Sequence, residues 1–255
     1  MAEQPEHRHN AELQGRLYDE VMTKGTRVRQ LSYERLIAVF AKRCTRGRLL
    51  DIGCGDGHIV APLKGYHELH AVEASSAAAE LARAKGIVVD VCDAESALPF
   101  ERDFFDIVVA SEVIEHVVRT DHFLHEINRV LKLGGHLILT TPNVASLTSL
   151  AMMIFMDLPP YMSARYRSPH VRDFTIRTMK MALGNHGFKT LEVRGGELML
   201  PYLGHSFPSI GYFLPRLSTQ MIVFAEKEGP SKFQESNEMQ FELTDKWTKL
   251  QGMKF

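Results

Sequence analysis

The run Leu49-Leu50-Asp51-Ile52-Gly53-Cys54-Gly55-Asp56-Gly57-His58 constrains the fold more than any other stretch of this chain. An apolar strand runs there straight into a glycine-rich turn. Glycine tolerates positive φ and lets backbone N–H groups come close to a ligand. Such a turn after a strand fits many nucleotide-binding folds. Two residues narrow the choice. A G-x-G-x-x-G dinucleotide turn wants its third glycine at position 58, where this chain has His58. Asp51 stands two residues before the first glycine and is aimed at the same turn. A fixed carboxylate there repels a pyrophosphate and favours a ligand with positive charge and no phosphate.

The next segments are those of a nucleoside site. A second strand, Leu69 to Glu73, ends in a carboxylate 20 residues after Gly53, the spacing that places an acid over ribose hydroxyls in a βαβ unit. A third, Ile87 to Val91, runs into Cys92-Asp93-Ala94, with Asp93 placed to accept from an adenine amino group and Ala94 to pack near the ring. S-adenosylmethionine, with a sulfonium, an ammonium and no phosphate, has the charge that Asp51 demands. A fourth strand, Phe105 to Ala110, follows Pro99-Phe100. The helix Asp121 to Val130 leads through Leu133-Gly134-Gly135 into a fifth, His136 to Thr140. Strands alternating with helical stretches throughout imply an α/β fold: a mostly parallel sheet with helices on both faces.

The segments LLDIGCGDGH, AVEAS, VCDAESALPF, FDIVVASEVIEHV and LKLGGHLILTTPN, in order from about residue 48 to 143, resemble the class I S-adenosylmethionine-dependent methyltransferases. The resemblance implies a Rossmann-like sheet of seven strands with an antiparallel last strand, a helical N-terminal arm and an insertion after strand five. It also implies that Asp51, Gly53, Gly55 and Asp56 lie around the methionine part of the cofactor. Glu73 would hold the ribose, Asp93 and Ala94 the adenine, and Ser111 the far wall of the cleft.

At 255 residues the chain suits one α/β domain with decorations. Its net charge of −1 announces no broad basic surface, which argues against a duplex nucleic-acid partner but leaves a short RNA open. The polar N-terminus lacks a signal-peptide core, and the longest apolar stretch, Leu147 to Phe155, is too short to span a bilayer. Three cysteines without a secretion signal suggest reduced thiols in a cytoplasmic protein. Residues 1–12 read as disordered, 13–226 as the domain and 227–255 as a polar flexible tail with a short helix near Trp247. Leu13 to Phe40 reads as mostly helical, and Tyr18 resembles the aromatic that many relatives lay over the cofactor's methionine end. A helix from about Ile176 to His186, capped by Gly187, precedes strand six, Phe188 to Val193. A long loop follows, then strand seven, Gln220 to Ala225.

The segment 143–175 is rich in Met and aromatic residues and falls at the carboxyl edge of the sheet, where insertions shape a ligand crevice. Such a stripe equally suits core packing or an oligomer contact.

Strand four ends in Ser111-Glu112-Val113-Ile114-Glu115-His116. If a helix starts there, Glu112, Glu115 and His116 stand at i, i+3 and i+4 on one face. Two carboxylates and an imidazole suit a divalent ion such as Mg, Mn, Fe or Zn, and His170 is a candidate fourth ligand. Acids in a first helical turn also serve the macrodipole without any ion. The run resembles two methyltransferase groups. One is the ubiquinone-biosynthesis O-methyltransferases. The other is the small-RNA 3′-end 2′-O-methyltransferases, in which two glutamates and a histidine of this run, with a later histidine, bind a divalent ion. The stretch TTPNVASL…SPHVRDFT…GF also resembles methyltransferases encoded beside glycan and lipid pathways. The expectation is methyl transfer to an oxygen of a small-molecule acceptor, with His116 or His170 as general base if no metal takes part. The rivals are RNA 2′-O-methylation and a non-catalytic cofactor-binding scaffold.

Overall fold

The computed structural model describes residues 32–158, 170–199 and 206–233. Its elements, in chain order, are α1 (Ser32–Arg43), β1 (Arg48–Ile52), β2 (Glu68–Glu73), α2 (Ser76–Ala84), β3 (Val88–Val91), β4 (Phe105–Ser111), α3 (Thr120–Val130), β5 (Leu131–Pro142), α4 (Leu147–Met156), α5 (Ile176–Asn185), β6 (Phe188–Gly195), β7 (Leu198–Met199), β8 (Ser206–Phe207), α6 (Pro208–Phe213) and β9 (Gln220–Lys227). Tyr18, the tip of the 143–175 segment and Trp247 lie outside the described residues.

Seven strands form one sheet in the order β3-β2-β1-β4-β5-β9-β6. β1 pairs in parallel with β2 and β4, and β4 with β5. β9 lies antiparallel between β5 and β6. The expected α/β sheet, mostly parallel with an antiparallel last strand, is the one that forms.

The strand sequences explain why both faces are covered. Side chains alternate across a strand. Leu49, Ile107, Val109, Ile138 and Ile222 pack on one face with Ile37, Phe40 and Ala41 of α1 and Ala79 and Ala82 of α2. Leu50, Val108, Ala110, Leu137, Leu139, Met221 and Val223 pack on the other, with Phe123, Leu124 and Ile127 of α3 and Met179 and Leu183 of α5. Because both faces are buried, the strands read as near-continuous apolar runs.

Three local expectations need correction. Helices do not alternate with strands throughout. Between β1 and β2 the chain makes only a 3-10 turn, Ala61–Leu63, because Pro62 and Gly65 (φ +84°) leave no room for a longer helix. No helix separates β3 from β4. The glycine pair before strand five does not precede the strand but sits within β5. Gly134 (φ +74°) falls where the β4–β5 register shifts. The long loop before β9 carries the pair β7–β8 and helix α6, with Pro208 in the first turn of α6.

The strand order reverses between β1 and β4, which opens a crevice at their carboxyl ends. Among the described residues no helix is long and apolar enough to cross a membrane.

Candidate active site

The glycine turn leaves β1 at this crevice. Gly53, Gly55 and Gly57 all have positive φ, at +69°, +55° and +75°. The Gly53 N–H donates to the Val72 carbonyl at 2.9 Å. A Cβ on Gly53 would lie 2.8 Å from Cγ2 of Val113, so the turn after β1 presses against the turn after β4. A side chain at 53 would be strained both by conformation and by space.

Asp51 is 1% exposed, and its Oδ2 has no hydrogen-bond partner among the described residues. Burial, and then the charge of Glu73, push its carboxyl up to about 8. A buried carboxylate with one oxygen unmatched is costly unless a ligand supplies a donor or a positive charge. The S-adenosylmethionine ammonium supplies both, so this donor set fits the cofactor that the sequence implies. Glu73 is braced from within. Its Oε2 accepts from the Gly55 N–H at 2.8 Å and its Oε1 from the Ser75 N–H at 2.9 Å. Each oxygen keeps a second lone pair. Asp56 turns elsewhere: its Oδ2 pairs with Lys85 Nζ at 2.6 Å, and its Oδ1 meets the His58 ring at 2.7 Å. Ordinary ion pairing thus occupies the residue that the sequence places near methionine. His58 in turn reaches Glu34 of α1 at 3.2 Å, joining the turn to the helix before β1. In the turn after β3, Asp93 Oδ1 accepts from the Glu95 N–H at 2.9 Å, with Ala94 between them.

At the end of β4 the expected helix is absent. Glu112 has φ +54°, a left-handed conformation, and only a 3-10 turn, Ile114–His116, follows. Thr140 of β5 holds this kink. Its carbonyl and its Oγ1 both accept from the Glu112 N–H at 3.1 Å, and its Oγ1 donates to Glu112 Oε1 at 2.9 Å. Ser111 Oγ lies 3.0 Å from the same Oγ1. The correction matters for the metal reading. Without a helix, Glu112, Glu115 and His116 do not line up at i, i+3 and i+4.

Three of the four proposed ligands nevertheless converge. One donor atom from each of Glu115, His116 and His170 lies within 4.8 Å of the other two. Glu112 is not in that group. The backbone brings the distant His170 in: the N–H groups of Val171 and Arg172 both donate to the Glu115 carbonyl, at 2.9 and 3.2 Å. The His116 and His170 rings meet edge to face, 4.9 Å between centres. Glu115 is 2% exposed. Its Oε2 accepts from Thr141 Oγ1 at 3.0 Å, and its Oε1 has no hydrogen-bond partner among the described residues. Burial, and next the charge of Glu112, hold the Glu115 carboxyl well above the usual range. Burial raises Glu112 to about 7 against the opposing Thr140 bond. Burial lowers His170, keeping its imidazole neutral near pH 7. The neutral His170 imidazole, the His116 ring and an orphaned Glu115 oxygen in one place can bind a cation or take up a proton.

The sequence reading missed the residues that hold this site: Thr140, Thr141, Lys85, Glu95 and Arg172. The pair Thr140-Thr141 at the end of an apolar strand was the available signal, since a hydroxyl there has to find a partner.

A methyltransferase-domain family model matches residues 26–193, more than half of the chain. The human mitochondrial ubiquinone biosynthesis O-methyltransferase is 32% identical over 120 residues, covering 43% of this chain and 32% of that protein. The ubiquinone biosynthesis O-methyltransferase of Chelativorans sp. is 33% identical over 102 residues, 38% of this chain and 40% of that one. The match thus spans well under half the length of these relatives. A solved SAM-dependent methyltransferase from Thermotoga maritima superimposes with a TM-score of 0.61 over 84% of this chain and 97% of its own, at 24% identity, a likeness of fold. The chain belongs to the methyltransferase-domain family.

Proposed function

We propose that the protein transfers the methyl group of S-adenosylmethionine to an oxygen of a small-molecule acceptor. The observation that carries this reading is the convergence of Glu115, His116 and His170 at the carboxyl edge of β4. Methyl transfer from a sulfonium needs in-line alignment more than covalent help, but a hydroxyl acceptor has to lose its proton. Two relatives are ubiquinone biosynthesis O-methyltransferases, and their O-methylation supports the same choice.

Without an ion, His170, kept neutral by burial, or its neighbour His116 is the base in this reading. Glu115 is the third member, aiming an unmatched oxygen at them. These three residues would hold a divalent ion (Mg, Mn, Fe or Zn), which would supply a Lewis acid to lower the pKa of the acceptor hydroxyl. Glu112, bonded to Thr140, shapes the kink that positions them. RNA 2′-O-methylation leans on a ligand set of four, so the separation of Glu112 from the group counts against it.

Chelation separates the two proton-removal routes. Methyl transfer from labelled cofactor would be screened against phenols, sugars, lipids and short RNAs. With the responding acceptor, excess chelator is expected to abolish turnover while cofactor binding survives, and His116→Ala is expected to match the chelated enzyme. Full turnover in chelator removes the ion and leaves the imidazoles as bases. Methylation confined to carbon or nitrogen acceptors would overturn the proposal.

A further inference from the structure

The turn after β3 and the turn after β4 are joined by one side chain. Asp93 Oδ1 accepts from the Glu95 backbone N–H at 2.9 Å, and the Ser96 N–H closes the same turn on the Asp93 carbonyl at 3.0 Å. The Glu95 carboxylate reaches out of this turn. Its Oε1 accepts from the Val118 N–H at 2.9 Å, 23 residues along the chain. Val118 follows directly on the 3-10 turn that carries His116 and its C-cap Val117. The Val118 carbonyl accepts from Arg172 Nη2 at 3.1 Å. Arg172 lies in the segment that delivers His170, and its own N–H is fixed on Glu115.

We propose that Glu95 is a positioning residue that couples cofactor binding to the geometry of the His116–His170 pair. This inference rests on the reading of Asp93 as the contact for the cofactor's adenine. The relay has four links: the adenine amino group on Asp93, Asp93 on the Glu95 N–H, the Glu95 carboxylate on the Val118 N–H, and the Val118 carbonyl on Arg172. An anion accepting from a backbone N–H is stronger than a neutral bond and is directional. A ligand that orders Asp93 therefore orders the Glu95 backbone and aims its carboxylate at Val118. Both histidines hang from Val118, one through the chain and one through Arg172. By linkage the coupling is reciprocal: whatever organises the histidine pair also tightens the cofactor turn. Ordered binding, cofactor before acceptor, is the functional consequence.

Backbone hydrogen exchange, with S-adenosylhomocysteine as the probe, tests the coupling without an acceptor or a metal. In the wild-type protein the probe is expected to slow exchange at Val118 and Arg172 by about tenfold, beyond its effect at Glu95 and Ser96, and to move the His116 ring carbon signals at fixed pH. Glu95→Ala and Glu95→Asp should both lose the slowing at 118 and 172 and the His116 shift, while protection at the Asp93 turn persists. Asp is one methylene too short to reach, so it controls for charge. Glu95→Gln keeps an accepting oxygen and should retain the response. A merely structural Glu95 would change exchange with and without the probe alike. An undiminished response at 118 and 172 in Glu95→Ala overturns the proposal, as does a wild-type protein that binds the probe with no response there. If wild type does not bind the probe at all, the cofactor reading falls, and this inference with it.

Discussion

Asp51 shows how a residue can be legible in sequence while its chemical state is not. Its place two residues before Gly53 marked it as the acid beside a cationic ligand. That it is 1% exposed, beside Glu73, and so pushed up to about 8 follows only from the packing of β1 between β2 and β4. Near pH 7 the ligand-free carboxyl therefore holds a proton that a cationic ligand would expel. The same shift makes Asp51 a burden on folding. The unfolded chain ionises it near 3.8, so stability falls as pH rises from there towards 8. Calorimetry of S-adenosylhomocysteine binding at pH 7, in buffers of different ionisation heat, is expected to show release of a proton. Affinity should rise between pH 6 and 7.5. Asp51→Asn should bind more weakly and release none. A buffer-independent heat for the wild-type protein would show that Asp51 is already ionised. Glu73 and Asp56 were also legible by position, but not their use. Backbone N–H groups engage the first and Lys85 the second, contacts between segments that no local spacing announces.

Among the elements, the strands were read most accurately and the stretch after β4 least. Apolar runs of β-branched and aliphatic residues bounded by glycine and acid leave little choice of conformation. The sequence Glu112-Val113-Ile114-Glu115-His116 would put its acids and His116 on one face only if a helix started there. Thr140 overrides it by holding Glu112 at φ +54°. A similar long-range tie escaped the reading of the segment after β9 as the start of a free tail. His186, fully buried at the end of α5, bonds Ser231 Oγ at 2.8 Å and Asp121 Oδ1 at 3.1 Å. Asn128 of α3 adds donors to the carbonyls of His186 and Gly229. Residues 228–233 are thus sewn to α3 and α5. Burial lowers the His186 pKa, partly offset by Asp121. The unfolded chain therefore binds a proton at 186 that the folded chain refuses, and stability is lost as pH falls through about 6.5 and below. Because this contribution runs against the opposite trend of Asp51, it is read as a difference: between pH 7 and 5 the melting-temperature gap between wild type and His186→Gln is expected to shrink, and trypsin is expected to cut after Lys232 first. His186→Gln should melt lower at pH 7, by roughly 1–3 kcal/mol of lost bonding, yet show a shallower acid slope. An unchanged slope would move the acid sensitivity to another group, with His170 the next candidate.

The molecule as a whole sets the cofactor reading and the acceptor reading on different footings. Motifs at the carboxyl ends of β1, β2 and β3 define a cofactor half shared across the family, and such motifs are local enough to read from sequence. Under the proposed function the acceptor half would be built from β5 onward, where the chain wanders. α4 leaves Asn143 at the edge of the crevice, and its N-terminus is pinned by the Leu147 N–H to the Leu217 carbonyl at 3.0 Å. Its Thr148 hydroxyl reaches the Met199 carbonyl of β7 at 2.7 Å. The helix is apolar almost throughout yet poorly covered by the described residues: Ile154 and Phe155 are 72% and 75% exposed, and Phe213 of α6 is 73% exposed. Exposed aromatic and aliphatic side chains on one helix suit a contact surface, either for a ligand with an apolar body or for a second copy of the chain. If α4 serves the acceptor, Phe155→Ala and Met153→Ala should raise the acceptor KM several-fold, on the order of 1–2 kcal/mol per large side chain removed, and leave cofactor affinity unchanged. Sedimentation of the same variants gives the competing result. A shift in oligomeric state with an unaltered KM would make α4 an interface between copies of the chain and remove it from the acceptor site.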